Sequence, residues 1–322
     1  MQTWGDFDGI INVNELSEFV RHAAQDLQGF AQLCNPPTGK ALGLGKGDTV
    51  QYIYYADIGI AGGELDENEE VPQSTLTPIS ATYQIKEFGN SLRWTKKLED
   101  LSRLSVEDDF TVALVNDMKK LENSQAYTQF KATDWIASFN SSADAFVTNG
   151  TTITACNEGL TFANLRYLVR NAEKRLIPYF DGESYVVVTG VDSLDALVYE
   201  QPGAGATGAN VASVFEALKR DSGMAALNGE CGRVARCRLV KDTHKVAKMG
   251  GSSSGEGANL DETFLIGADA VQKDVAEPWY LSIEDRDHKR NISVAYLGLM
   301  IWNKILDQTT HSKEHIIRVA SA

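Results

Sequence analysis

Apolar residues recur along the chain with two periods. Asn14 can cap a helix in which Leu16, Phe19, Val20, Ala23, Ala24, Leu27 and Phe30 follow at three- and four-residue steps, and Asn35-Pro36-Pro37-Thr38-Gly39 ends it. Asp48 to Asp57 is rich in β-branched and aromatic residues and reads as a strand. Ile79 to Phe88 alternates in the same way, with a polar turn region from Gly62 to Pro72 between them. Together they predict a long two-stranded hairpin, spanning roughly 33 Å if ten residues each rise about 3.3 Å. A hairpin on its own is marginal in water, so this one needs a surface to lie on.

From Ser105 the period returns to that of a helix. Ser105-Val-Glu-Asp108 opens it as a capping box does. Phe110, Leu114, Met118, Leu121 and Gln125 fall on one face, and no Gly or Pro interrupts before Phe139. The pattern predicts one helix of up to about 30 residues and about 45 Å. Thr161 caps a second helix with Phe162, Leu165, Leu168, Ala172 and Leu176 on its apolar stripe. Asp181-Gly182 then turns the chain into Ser184–Thr189, which is apolar enough for a buried central strand. A short helix is expected at Asp192–Val198 and another at Val211–Lys219. One strand is expected over Arg233–Val240, and further strand or mixed segments at Thr263–Gly267, Trp279–Ile283, Asn291–Met300 and Ile316–Ala320.

Charge changes this picture at one place. The 322 residues hold 30 Lys and Arg against 44 Asp and Glu, a formal charge of -14. So acidic a chain is a poor candidate for wrapping nucleic acid, although a local basic patch is compatible with it. Between Gly47 and Ile85 there is no Lys or Arg, and seven acids (Asp48, Asp57, Glu64, Asp66, Glu67, Glu69 and Glu70) supply half of that charge. Such a run is either a solvated loop or an arm that docks on a basic surface of a neighbouring subunit. Candidate basic partners are Arg93, Lys96, Lys97 and Arg103, and Arg286, Lys289 and Arg290.

Composition excludes several classes. With 43% hydrophobic and 23% charged residues the chain is neither disordered nor fibrous. The longest apolar run, Val294–Trp302, is far short of the roughly 20 residues of a membrane span, and Met1–Asp8 does not read as a secretory signal. Four cysteines, Cys34, Cys156, Cys231 and Cys237, make no disulfide framework and read as thiols.

Three enzyme-like motifs fail on context. Gly203-Ala-Gly-Ala-Thr-Gly208 matches a dinucleotide loop but follows Pro202 instead of a strand. Gly251-Ser-Ser253-Ser-Gly255 matches a nucleophile elbow without the preceding apolar strand. His311-Ser-Lys-Glu-His315 matches a zinc-peptidase pair without the long helix or a third ligand. No catalytic, cofactor or metal residue is assigned.

The order of elements resembles the major capsid protein of tailed bacteriophages, of the Hong Kong 97 phage type. Three segments carry the resemblance: Val71–Ser102, Leu160–Leu176 followed by Tyr185–Thr189, and Phe264–Val271 with the strands after it. It implies an α+β fold with an N-terminal arm and helix (1–43) and an extended E-loop hairpin (44–95). It further implies a discontinuous P-domain built on a long spine helix (96–155 and 262–322), and an A-domain with a central sheet flanked by helices (156–261).

It also implies a non-enzymatic shell protein of the virion, made in the bacterial cytoplasm. Hexamers and pentamers would build an icosahedral head around double-stranded DNA. Partners would be a scaffolding protein, the portal protein and a cement or decoration protein, with no cofactor. Some members of the family join a Lys on the E-loop to an Asn of a neighbour. Here that Lys is missing from Gly47 to Ile85. The alternative is a cytosolic α/β enzyme binding a nucleotide at Gly203–Gly208.

Overall fold

In the computed structural model, the structure describes residues 29–36, 49–55, 62–65, 67, 70–71, 73–102, 106–140, 143–149, 156, 159–198, 230–243, 261–307 and 313–321. The expected N-terminal helix, the helix at Val211–Lys219 and the loops at Gly203–Gly208 and Gly251–Gly255 lie outside these residues.

The described chain divides into two compact units. The larger comprises Asp26–Phe88, Lys119–Trp279 and Gly298–Ala322, and is organised by a seven-stranded mixed sheet. Its strands are β4 (Trp135–Asn140), β5 (Ala143–Asn149), β6 (Tyr185–Thr189), β7 (Glu230–Val234), β8 (Cys237–Lys241), β9 (Asp261–Ile266) and β12 (Ile316–Ser321), in the order β5-β4-β12-β9-β6-β8-β7. Every residue of β6 is buried, because successive side chains enter opposite cores. Tyr185 and Val187 join Leu165, Leu168, Val169 and Ala172 of helix α3 (Phe162–Lys174), and Leu194 and Leu197 of α4 (Val191–Val198). Val186 and Val188 join Phe30, Leu33 and the Ala126, Tyr127 and Phe130 side chains of helix α2 (Val106–Lys131) on the other face. A strand apolar on both sides is thus covered on both sides, as its composition requires.

Strands of both expected segments, 96–155 with 262–322 and 156–261, share this sheet. The boundaries expected at 156 and 261 therefore do not coincide with a break in hydrogen bonding.

Two buried ion pairs tie the sheet to α2. Arg318 on β12 bonds the fully buried carboxylate of Glu262 on β9, whose other oxygen accepts from Tyr127 of α2 at 2.6 Å. Lys304 reaches Glu314 at 2.6 Å and donates to the Ala132 carbonyl just past the end of α2 at 2.7 Å.

The acidic hairpin is present. β1 (Thr49–Tyr55) pairs antiparallel with β2 (Pro78–Gln84), Thr49 opposite Gln84 and Tyr55 opposite Pro78. Alternate residues are half-buried, and two of them bond the rest of the unit: the Tyr52 hydroxyl bonds Asp274, and that of Tyr83 donates to the Lys304 carbonyl at 3.1 Å. The opposite face is bare, with Ile53 58% and Tyr55 56% exposed.

In the smaller unit the described residues belong to Gly89–Met118 and Tyr280–Leu297. It takes in most of β3 (Lys86–Thr95), helix α1 (Lys96–Leu101), the first part of α2, and the distal part of a long hairpin of β10 (Val271–Arg286) and β11 (Asn291–Lys304). Trp94 stacks edge-on against Phe110 at 5.3 Å, and Tyr296 donates to Asp117 at 2.7 Å. At Gly89 a Cβ would stand 2.6 Å from the Tyr296 carbonyl, so β3 and β11 approach as closely as only glycine permits.

Two local expectations are corrected and two are refined. The long helix has 26 residues and ends at Lys131, within its expected length, and Trp135–Asn140 beyond it begins a hairpin. Thr133 ends the helix by bonding the Ile316 carbonyl, and its hydroxyl also accepts from the Trp135 amide. The single strand expected over Arg233–Val240 is two, β7 and β8, reversing at Ala235 and Arg236 with φ of 50° and 64°. The strand segments expected at Trp279–Ile283 and Asn291–Met300 are present, within one hairpin of 16- and 14-residue strands that turns through Asp287, His288 and Lys289, all at positive φ. Leu176 is outside the apolar stripe of α3. It is 76% exposed at φ 58°, just past the helix end.

Candidate assembly surfaces

The two sequence-distant groups of candidate basic residues meet in the smaller unit. The Lys96 amide donates to the Arg290 carbonyl at 2.8 Å, bringing the start of α1 beside the β10–β11 turn. Thr95 caps α1 through its side chain, which accepts from the Leu98 amide. A cleft of about 640 Å³ opens between the two, lined by Lys96, Lys97, Asp100, Leu101, Asp287 and Arg290 among others.

Three of the six described candidate cations there are matched within the chain. Lys96 lies 2.8 Å from Glu99 and 3.4 Å from Asp100, Arg286 lies 2.7 Å from Glu284, and Arg290 lies 3.6 Å from Asp287. The Glu284 carboxyl is held below its usual range chiefly by the Arg286 hydrogen bond, with Arg93 adding its field. Lys97 and Lys289 are exposed. Arg103 lies outside the described residues. Of the acidic tip, Glu64, Glu67 and Glu70 are exposed, and Asp66 and Glu69 lie outside the described residues.

A second cationic surface, not singled out from the sequence, lies on α3. Arg166, Arg170 and Lys174 are all exposed and follow one another at steps of four residues. That spacing places them about 6 Å apart along one side of the helix. Arg166 lies over the Phe162 ring at 5.9 Å and Arg170 over Tyr167 at 5.6 Å. No described carboxylate lies within ion-pair distance of Arg166, Arg170 or Lys174. Like charges at this spacing cost a helix a few tenths of a kcal/mol per pair, roughly 0.2–0.5.

Beside the ridge a groove of about 590 Å³ is lined by Ala163, Tyr167, Val169, Glu173, Ala235 and Arg236 as well as the two arginines. Arg236 bonds Glu173 at 2.8 Å, and Glu173 also accepts from Tyr179 at 2.6 Å. The Tyr179 hydrogen bond first, and Arg236 second, hold the Glu173 carboxyl below the usual range. The signal for this ridge was in the sequence: the face of the helix opposite its apolar stripe carries the three cations.

Three groups from the motifs and thiols of the sequence, His315, Cys34 and Cys237, are held in place by burial. His315 lies in the bend before β12, its Nδ1 2.6 Å from the Ala268 carbonyl, and burial lowers its pKa. His311 is outside the described residues. Burial pushes the Cys34 thiol up to about 12 and the Cys237 thiol higher still, so neither offers a thiolate near neutrality. Among the described residues no group of three or more His, Cys, Asp and Glu is placed to hold a metal, and no helix is long and apolar enough to cross a membrane.

No protein-family model matches the chain, and no curated protein does. Solved structures do. The capsid of Ralstonia phage GP4 superposes with a TM-score of 0.66 at 11% identity, covering 100% of this chain and 97% of that one. The acid-stable capsid of Helicobacter pylori bacteriophage KHP30 gives 0.63 at 14%, covering 100% and 98%. The capsid of cyanophage P-SCSP1u gives 0.63 at 13%, covering 97% and 93%. From end to end, this chain has the fold of phage capsid proteins.

Proposed function

We propose that the chain is the major capsid protein of a tailed phage, assembling through hexamers and pentamers into the icosahedral shell around double-stranded DNA. The observation that supports this most is two-way coverage. Capsid chains match over nearly all of this chain and nearly all of their own length, so the likeness is to whole shell subunits. The bare outer face of the β1–β2 arm and the exposed acids at its tip fit the same reading, since a shell subunit carries surface meant for its neighbours.

In this reading the acidic arm docks on cations of an adjacent subunit. A scaffolding protein, the portal and a cement or decoration protein are the further partners, and the virion is where the chain resides.

The test is expression of the chain alone and with its assembly partners, followed by electron microscopy and sedimentation. Capsomers or closed particles are expected. A small oligomer that binds nucleotide and never forms particles would instead favour the enzyme reading.

A further inference from the structure

We infer that the distal edge of β10 is a self-association surface, where Tyr280–Glu284 pairs antiparallel with the same segment of a second copy of the chain. This contact needs no shell, since two free subunits suffice. In a shell it lies on a two-fold axis between neighbouring subunits, because a patch that pairs with itself makes an isologous contact. β10 is an edge strand of the three-stranded sheet β10-β11-β3, and among the described residues nothing pairs with its outer side. Every residue from Tyr280 to Arg290 is exposed. Tyr280 keeps 44% of its surface in solvent, Leu281 49% and Ile283 59%.

Sheet edges in water are ordinarily defended by charge, proline, shortness or a bulge. Two other edges of this protein follow that rule. β7, at one end of the seven-stranded sheet, has five residues, carries Glu230 and Arg233, and shifts register between Glu230 and Gly232. β3, at the far edge of the three-stranded sheet, exposes Asn90, Ser91 and Arg93. From Tyr280 to Ile283 there is neither charge nor proline. Apolar side chains stand exposed on both faces, Leu281 and Ile283 on one and Tyr280 on the other, because successive residues of a strand alternate. Such a segment offers both the backbone groups and the side-chain contacts that strand addition uses.

The sequence of the segment selects the occupant. Tyr280-Leu281-Ser282-Ile283-Glu284 complements itself about Ser282. Laid antiparallel on its own copy with Ser282 on the two-fold axis, it sets Leu281 opposite Ile283 twice on one face. On the other face the two Ser282 hydroxyls meet, and each Tyr280 hydroxyl faces a Glu284 carboxylate. Opposed Cβ atoms stand about 4.5–5.5 Å apart, within reach of all these contacts. The charges agree. Glu284 holds Arg286 of its own chain at 2.7 Å through Oε2, which leaves Oε1 to accept from Tyr280. No like charges are opposed within the segment. Re-centring the pair on Ile283 sets Leu281 against the Asp285 carboxylate, so the apolar pattern fixes the register.

Cysteine placement reads the register. Residues opposed across such a dyad have Cα atoms within disulfide range. Full-length Ser282→Cys, Tyr280→Cys and Glu284→Cys are oxidised in solution, and circular dichroism melting shows that each folds. Ser282→Cys is expected to give a covalent dimer of twice the 35.2 kDa subunit, at least fivefold faster than either other variant alone. An equal mixture of Tyr280→Cys and Glu284→Cys is expected to outpace both of its components by a similar factor. Peptide mass spectrometry assigns each link and separates it from any through Cys231, the exposed native thiol. A Ser282→Cys rate no higher than that of Tyr280→Cys, or dimers through Cys231 alone, overturns the inference.

A second measurement removes the surface. Leu281→Lys/Ile283→Lys is expected to weaken self-association at least tenfold in sedimentation equilibrium, and unchanged association overturns the inference. Particles that form from this variant at the wild-type yield also overturn it, and leave the capsid reading standing. Dimers linked at position 282 from a chain that never forms particles support the contact and count against the capsid reading. A link from position 282 to a different polypeptide, when the subunit is oxidised together with its assembly partners, overturns the inference and assigns the edge to that partner.

Discussion

Arg318 and Glu262 form a buried pair whose two members should not be equally costly to lose. The Glu262 side chain is fully buried between β9, β12 and α2, whereas the Arg318 side chain keeps 13% of its surface in water. Replacing Arg318 by Met leaves a dry carboxylate with only the Tyr127 hydroxyl as a described donor. Removing one member of a buried pair typically costs about 3–5 kcal/mol. Replacing Glu262 by Gln is milder. The amide oxygen still accepts from Tyr127, and Arg318 can lean toward solvent, so about 1–2 kcal/mol is expected, near the usual value for a charged hydrogen bond.

The pH dependence separates the two variants. Burial already holds the Glu262 carboxyl above its usual range, against the Tyr127 and Arg318 interactions that pull it down. Losing Arg318 raises it further. Between the unfolded pKa and this higher folded pKa, the folded state binds more protons than the unfolded one, so stability falls as pH rises through that window. Acidification from pH 7 should therefore repair Arg318→Met by up to about 1.4 kcal/mol per pH unit, the value of one proton. Glu262→Gln, with no carboxyl, should show no such repair.

Urea denaturation of the unassembled subunit, followed by circular dichroism at pH 7, 6 and 5, measures both. The reasoning fails if Glu262→Gln costs as much as Arg318→Met, or if the Arg318→Met deficit is the same at all three pH values.

Other outcomes follow from single positions. Helix α3 ends in a Schellman arrangement, with Leu176 N–H on Glu173 O and Ile177 N–H on Ala172 O, both at 3.0 Å, and puts an exposed leucine where left-handed backbone favours glycine. Leu176→Gly should thus raise stability by about 1 kcal/mol, read as a higher urea midpoint. Gly89→Val should lower it by about 1–3 kcal/mol and separate β3 from β11, measurable as faster amide exchange at Tyr296 and Leu297. Mature particles boiled with reductant should run near 35 kDa, because the arm has no Lys from Gly47 to Ile85 to form an isopeptide; a boiling-resistant ladder would show a cross-link from elsewhere.

What was legible in the sequence was structure set by local pattern. Ser184–Thr189 is apolar at every other position on both faces, and only a strand between two layers satisfies it. The hairpin alternation of Thr49–Tyr55 and Pro78–Gln84 survives intact because one face of the arm meets the unit and the other meets water. What was not legible is held by partners far away in sequence. No local signal stops α2 at Lys131. Its end is satisfied by Lys304 on Ala132, Glu314 on the Asp134 amide, and Ile316 receiving Thr133.

The missed reversals share a cause. Neither Ala235-Arg236 nor Asp287-His288-Lys289 contains glycine, so no turn chemistry announces them. The first is held in left-handed backbone because the Arg236 carbonyl accepts from Tyr185 on the central strand at 2.9 Å and its guanidinium is fixed by Glu173 and Tyr179. The candidate site divides likewise. The acids of the arm stand out by charge density, whereas which cations are already matched depends on distances that no spacing in the chain reveals.

This difference bears on how an arm of this kind can work. A two-stranded ribbon buries too little by itself, and here the Tyr52 and Tyr83 hydroxyls fasten the half-buried face, leaving Ile53, Tyr55, Leu65, Val71 and Leu76 with 47–68% of their surface exposed. Fully burying such a side chain contributes about 1.5–3 kcal/mol, so covering the exposed half of one is worth about 1 kcal/mol. Each contact is too weak to join two subunits in isolation, given the freedom lost on association. Repeated along an arm and then around a ring it becomes sufficient, yet each remains individually reversible. In the proposed capsid role, many weak contacts of this kind would let an arm detach and re-seat before the shell closes.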